Sequence, residues 1–105
     1  MIKEIDIGHK AYSVDEALSE LSFVISEAKN NNLVAVKIIH GSGGGFISRA
    51  VREWGESQKG RFKDIIYGEN YNMFNENAVK MRSEANETQD HDFNRTNPGI
   101  TIFWL

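Results

Sequence analysis

Residues 33–54 read LVAVKIIHGSGGGFISRAVREW, and the architecture turns on this stretch. Leu33 to Ile39 is apolar and β-branched apart from Lys37, the pattern of a buried strand. Three consecutive glycines, Gly43 to Gly45, do not sit comfortably in a regular element, so His40 to Gly45 makes a loop. Ile47, Ala50, Val51 and Trp54 then fall on one face of a helix. Gly55 lies near its end, and Ser57 to Gly60 is polar. The unit is strand, glycine loop, helix.

The pattern extends in both directions. Upstream, Ile2, Ile5 and Ile7 open a short strand. Ser13-Val14-Asp15-Glu16 is a capping-box pattern that starts a helix. Val14, Ala17, Leu18, Leu21, Ile25 and Ala28 make its buried stripe, and Asn30-Asn31-Asn32 ends it. Downstream, Phe62 to Tyr67 is a third strand. Gly99 to Leu105 is a fourth, entered after the only proline, Pro98. The order βαβαββ implies parallel pairing at the start, through crossovers. Two helices do not easily cover both faces of four strands. The expected fold is therefore α/β (α+β), a two-layer sandwich on a four-stranded mixed sheet. Residues 1–105 make one domain, with an insert at 68–97. Within the insert, Phe74, Ala78, Met81 and Ala85 are spaced as a helix stripe, while Asn86 to Asn97 is polar and reads as mobile.

The chain has 105 residues, 40% hydrophobic and 26% charged, enough for a packed core. It has no cysteine, which excludes disulfides, thiolate metal sites and a thiol nucleophile. The longest mostly apolar run is too short to span a bilayer, and MIKEIDIGHK lacks a signal-peptide core. The expectation is a soluble, cytoplasmic domain. A net charge of −3 argues against coating nucleic acid by bulk charge. The charge is unevenly spread, however. Residues 1–63 hold nine basic groups against eight acidic, and residues 64–105 hold three against seven. His40 to Lys63 alone holds five basic against two acidic.

The glycine loop suits a phosphate. Glycines let the backbone approach an anion closely, and free amides at a helix N-terminus favour negative charge. His40, at the strand's end, is placed to donate to a phosphodiester oxygen or to move a proton near neutral pH. The loop is not a P-loop, because no Gly-Lys-Ser/Thr follows. Nor is it a dinucleotide fingerprint, because Phe46 occupies the last glycine position. The plainer alternative is a tight strand-to-helix turn that His40 caps. Arg49, Arg52, Lys59, Arg61 and Lys63 are either phosphate contacts or members of solvated faces. Ser42 and Ser48 are candidate phosphate donors. Tyr67, Tyr71 and Phe74 are either base-stacking or packing aromatics. Trp54 and Trp104 follow apolar patterns and belong to the core. Asp90-His91-Asp92 has a metal-like composition, but no second ligand set lies at helical or hairpin spacing. No metal site is assigned, and whether a divalent ion takes part stays open.

IIHGSGGGFISRAVREW (38–54) resembles the second signature of the Smr family, the small MutS-related domain. There a strand ends in His-Gly-x-Gly-x-Gly and runs into a helix of the form L-R-x-A-V-R-E-W-L. His40, Gly41, Gly43 and Gly45 match, as do Ala50, Val51, Arg52, Glu53 and Trp54. SVDEALSELSFVI (13–25) resembles the family's first helix, T-V-E-E-A-L, and GITIFWL (99–105) its last strand. The resemblance covers residues 2–67 and 99–105. One part departs. The family's first signature is L-D-L-H-G directly before the first helix. Here Asp6 matches, the His-Gly pair is reversed as Gly8-His9, and extra residues precede the cap.

The resemblance implies a fold similar to the C-terminal domain of translation initiation factor three. It also implies binding of DNA or RNA, as a nicking endonuclease or a ribosome- or RNA-associated domain. His40, Gly41 and Gly43 would line the nucleic-acid site. On a cleavage mechanism, the amides of Gly41 to Gly45, with Ser42, Gly44, Arg49, Arg52, Lys59 and Arg61, hold the phosphate. His40 and His9 transfer protons, and Asp6 orients a histidine. The altered first signature leaves two alternatives beside cleavage. One is a non-catalytic RNA-, DNA- or ribosome-binding module. The other is a protein-interaction domain that keeps only the fold.

Overall fold

The computed structural model describes residues 1–9, 13–42 and 45–105. Among these, the order is β1 (Lys3–Asp6), α1 (Val14–Asn30), β2 (Ala35–Ile39), α2 (Phe46–Ser57), β3 (Asp64–Tyr67), α3 (Glu76–Glu84) and β4 (Ile100–Trp104). Short 3-10 turns lie at Lys59–Arg61 and Gly68–Asn70. Ser13 caps α1: its Oγ accepts from the Glu16 amide at 3.2 Å and donates to the Glu16 carboxylate at 3.1 Å. Asp15 and Glu16 in the first turn and Lys29 in the last both suit the helix dipole. Ala17, Leu21, Ile25 and Ala28 form the buried stripe. Val14 does not join it. It starts the helix beyond the core and is 37% exposed.

The sheet order is β1-β2-β4-β3. β1 and β2 run parallel, with Lys3 opposite Val36 and Asp6 opposite Ile39. β4 is antiparallel to both of its neighbours. It lies between β2 and β3, so the β2-α2-β3 connection passes over it. The expected four-stranded mixed sheet is present. Side chains alternate along each strand and divide the core in two. Val36 and Ile38 of β2 and Phe103 of β4 join Ile7, Leu21, Ile25, Val51 and Phe62 on the face of α1 and α2. Trp54, Phe62 and Phe103 pack there as an aromatic trio, with ring centroids 5.1–6.2 Å apart.

Ala35, Ile66, Ile100, Ile102 and Trp104 face the other way. The 68–97 segment closes that side. Tyr71, Ala78, Met81 and Ala85 are buried against the sheet, and Phe93 packs on Tyr71 with centroids 5.2 Å apart. A third layer thus stands opposite the two-layer arrangement of helices and sheet. Phe74 is not part of the α3 stripe. It precedes the helix and is 90% exposed. Asn75 caps α3 instead, accepting from the Asn77 and Ala78 amides.

Lys37 explains how the segment is held. It is fully buried on β2, between Ala35 and Ile39 on the second face. Its Nζ donates to Asp90 at 2.6 Å, Asp92 at 2.8 Å and Glu4 at 3.1 Å. Tyr71 OH donates to Asp90 at 2.8 Å, and Asn97 Nδ2 to Asp92 at 3.0 Å. Burial alone would lower the Lys37 pKa; the bonds to Asp90 and Asp92 outweigh it and raise it. Burial alone would raise both carboxylates, and Lys37 holds them low. The stretch 86–97, read from sequence as mobile, is therefore anchored by a buried ion cluster. Much of the acidity after Lys63 is consumed internally in this way. Glu69 pairs with Arg52 and Glu84 with Lys63.

Candidate nucleic-acid interface

The glycine loop lies where the C-terminal ends of β1 and β2 meet the N-termini of α1 and α2. In α/β sheets, ligands commonly bind outside the carboxyl ends of parallel strands. Ser13, Val14, His40, Gly41, Ser42, Gly45, Phe46, Ile47 and Ser48 line an open groove there of about 530 Å³. Gly43 and Gly44, expected to line the site, lie outside the described residues. Gly41 has φ +87°, a conformation that side-chain-bearing residues rarely adopt. Gly8 meets the second signature directly. A Cβ on it would lie 2.6 Å from the His40 carbonyl carbon and 2.9 Å from the Gly41 nitrogen. The two signature loops therefore touch through backbone, and only glycine fits at that contact.

α2 begins without a side-chain cap and without an acidic residue in its first turn. Its first amides have no partner inside the helix and carry the positive end of its dipole. Ser48 in this turn is only 2% exposed, lines the groove, and has no side-chain hydrogen bond among the described residues. Arg49 beside it is exposed, with no ion pair among the described residues. Phe46 is 78% exposed at the groove's rim.

His40 is buried. Its Nδ1 lies 3.0 Å from the Gly41 carbonyl, and its Nε2 lies 2.9 Å from Thr101 Oγ1. A carbonyl only accepts, so Nδ1 carries the proton and Nε2 accepts from the Thr101 hydroxyl. The same hydroxyl oxygen accepts from Arg52 Nε at 3.0 Å. Every polar atom of the chain Arg52–Thr101–His40–Gly41 is thereby satisfied with His40 neutral. Burial, reinforced by the Arg52 charge, pushes the His40 pKa below its usual value.

Arg52 is directed inward. It grips Glu69 through two bonds of 2.7 and 2.9 Å, donates to the Ile100 carbonyl at 3.0 Å, and stacks over the Tyr67 ring at 4.2 Å. Asp6 and His9 form an exposed pair at the end of β1. His9 Nδ1 bonds Asp6 Oδ2, and the His9 amide donates to Asp6 Oδ1 at 3.1 Å. The His9 bond holds the Asp6 carboxyl low. Lys59 and Arg61 follow the far end of α2. A helix of 12 residues is about 18 Å long, so these two stand well away from the loop. Arg61 covers Trp54 and bonds Gln58.

Asp6, His9, His40, Gly41, Ser42, Gly45 and Arg49 thus belong to the loop end of the molecule, while Lys59 and Arg61 do not. Tyr71 is core, and Tyr67 lies under Arg52. Asp90, His91 and Asp92 each bring a potential ligand atom within 4.8 Å of the others. The Lys37 ammonium already occupies both carboxylates, so the cluster is an ion pair network. Sequence reasoning missed Thr101 and Glu69, the partners of His40 and Arg52. It read Phe46 only as a departure from a motif. A threonine inside the apolar run GITIFWL was the available signal for Thr101.

Among the described residues, no helix is long and apolar enough to cross a membrane. No curated protein matches the chain significantly. The Smr domain of Thermus thermophilus MutS2 is similar in structure, with a TM-score of 0.64 and 22% identity. The match covers 98% of this chain and 96% of that chain, so the 68–97 segment falls within its span. The family model described as the Smr domain matches residues 8–67, more than half of the sequence, and this chain belongs to the Smr domain family.

Proposed function

We propose that this Smr domain binds nucleic acid through the groove at residues 40–48, with a backbone phosphate at the start of α2. The observation that carries the reading is the uncapped, acid-free start of α2 beside the glycine loop, with Arg49 exposed there and without an ion pair among the described residues. Backbone amides and one arginine suit a single phosphate, and they suit a local contact better than a coating.

The finer reading is phosphodiester cleavage. His9 would move the proton, because Asp6 holds its Nδ1 and leaves Nε2 to solvent, while His40 shapes the loop from inside. An Asp-oriented imidazole is a competent general acid or base, typically worth about 10² to 10⁴ in rate. The second reading is a non-catalytic binding module. It is favoured by His40, whose ring nitrogens are both engaged within the protein. A nicking assay on supercoiled plasmid, run with a single-stranded RNA cleavage assay, separates the two. Cleavage lost in His9→Ala and Asp6→Asn supports the first reading. Activity unchanged in His9→Ala removes His9 from the chemistry, and no cleavage by the wild type supports the binding module.

A further inference from the structure

We propose that the groove takes an unpaired nucleotide, with its base stacked on Phe46 and its phosphate at the first turn of α2. This rests on the nucleic-acid reading above and goes beyond it by naming the strand state. Phe46 is a large apolar side chain, 78% exposed, at the rim of a groove. The core face of α2 is supplied by Val51 and Gly55, so packing does not account for a phenylalanine at this position. Val14 is also exposed, and with Ile47 it gives the groove an apolar wall.

Polar chemistry lies immediately beside that wall. Ser48 is buried and lines the groove, and its hydroxyl makes no hydrogen bond among the described residues, so it is left to serve a ligand. Arg49 stands exposed next to it, with no ion pair among the described residues. An aromatic face, an apolar wall and a phosphate-type donor set within one turn of helix match the parts of one nucleotide. In a duplex, both faces of a base are covered by its neighbours. A protein ring can stack on a base only where that base is unpaired or at an end.

The test is fluorescence anisotropy with end-labelled 12-nucleotide single strands, DNA and RNA, and the matching duplexes, in about 50 mM salt. A 2-aminopurine in a second set of single strands reports stacking by quenching. The wild type binds single strands more tightly than duplexes and quenches 2-aminopurine. Phe46→Ala weakens single-strand binding by about 5- to 100-fold, leaves duplex binding unchanged and abolishes the quench. Phe46→Trp restores both. Because Phe46 is exposed, the variants keep the wild-type melting temperature. Equal single-strand affinity of the wild type and Phe46→Ala overturns the inference and leaves the nucleic-acid reading standing. Absence of binding to every probe overturns both. The DNA and RNA arms assign the sugar.

Discussion

Replacing Lys37 by methionine removes the cation that holds the 68–97 segment on the sheet. Methionine keeps most of the apolar stem, so the change is chiefly electrostatic. Three carboxylates lose a partner, with unequal effect. Glu4 is half exposed and returns to water, contributing little. Asp90 and Asp92 are buried, with side-chain exposures of 4% and 8%. Tyr71 and Asn97 still donate to them, but two negative charges are left together without a cation. Breaking a buried pair from one side costs about 3–5 kcal/mol. With an m-value of about 1.5 kcal/mol/M, the urea midpoint falls by about 2–3 M. Urea titration followed by tryptophan fluorescence measures this directly, and limited proteolysis locates the first cleavages in residues 86–97.

The pH dependence gives an independent check. In the wild type, Asp90 and Asp92 are held below their ordinary value of 3.8. Their contribution is present above that value and is lost as pH falls through the folded pKa. Without the ammonium, burial raises both groups instead. The Lys37→Met deficit therefore shrinks as pH falls from 7 towards 4. A loss below about 1 kcal/mol, or a deficit that grows on acidification, refutes the buried-anchor reasoning.

Other consequences follow from the same contacts. His40→Ala leaves the Thr101 hydroxyl and the Gly41 carbonyl without their ring partner; it costs about 1–3 kcal/mol in urea unfolding and weakens nucleic-acid binding. Because burial holds His40 low, wild-type stability declines as pH drops below about 6.5, and that part of the slope disappears in His40→Gln. Arg49→Ala reduces the slope of log affinity against log salt by about 0.7–0.9, the value for one phosphate, whereas Lys59→Ala leaves it unchanged. Equal effects of the two substitutions in a salt titration would place the interface elsewhere.

Much of the framework was legible in the sequence because period and punctuation agree. The Ser13 cap, the stripe from Ala17 to Ala28, the strand ending at Ile39 and the helix ending past Gly55 all fall where the pattern puts them. The second face was legible only in part. The Ala78, Met81 and Ala85 stripe packs as its spacing puts it, but Tyr71 and Phe93, which complete the cover, are dispersed through a polar stretch. The ion cluster that fixes them joins positions 53 and 55 residues apart. Lys37, the lone charge in an apolar strand, was the visible sign that acidic partners had to come from elsewhere.

The site shows the same division. The glycine loop can be read from its residue types. The orientation of His40 and Arg52 cannot, because both are set by β4 and by Glu69, which are distant in sequence. Splitting the net charge by segment overstated the basic charge at the loop, because Lys59 and Arg61 lie past the far end of α2 and only Arg49 stands beside it. It also counted Arg52 as available, although Glu69 and the carbonyls beside β4 hold it.

The most direct test places a charge in the groove without disturbing the fold. Ser42 is exposed and lines the groove, so Ser42→Asp sets a carboxylate where the phosphate is expected. Single-stranded and duplex oligonucleotides are titrated against the wild type and Ser42→Asp at 50 and 200 mM salt. For the single phosphate contact the wild type weakens by about threefold between these concentrations. Ser42→Asp loses at least that factor at 50 mM while keeping the wild-type melting curve. Wild-type protein that binds no oligonucleotide at 50 mM, or Ser42→Asp that binds as well as wild type, contradicts the assignment of nucleic-acid binding to this loop.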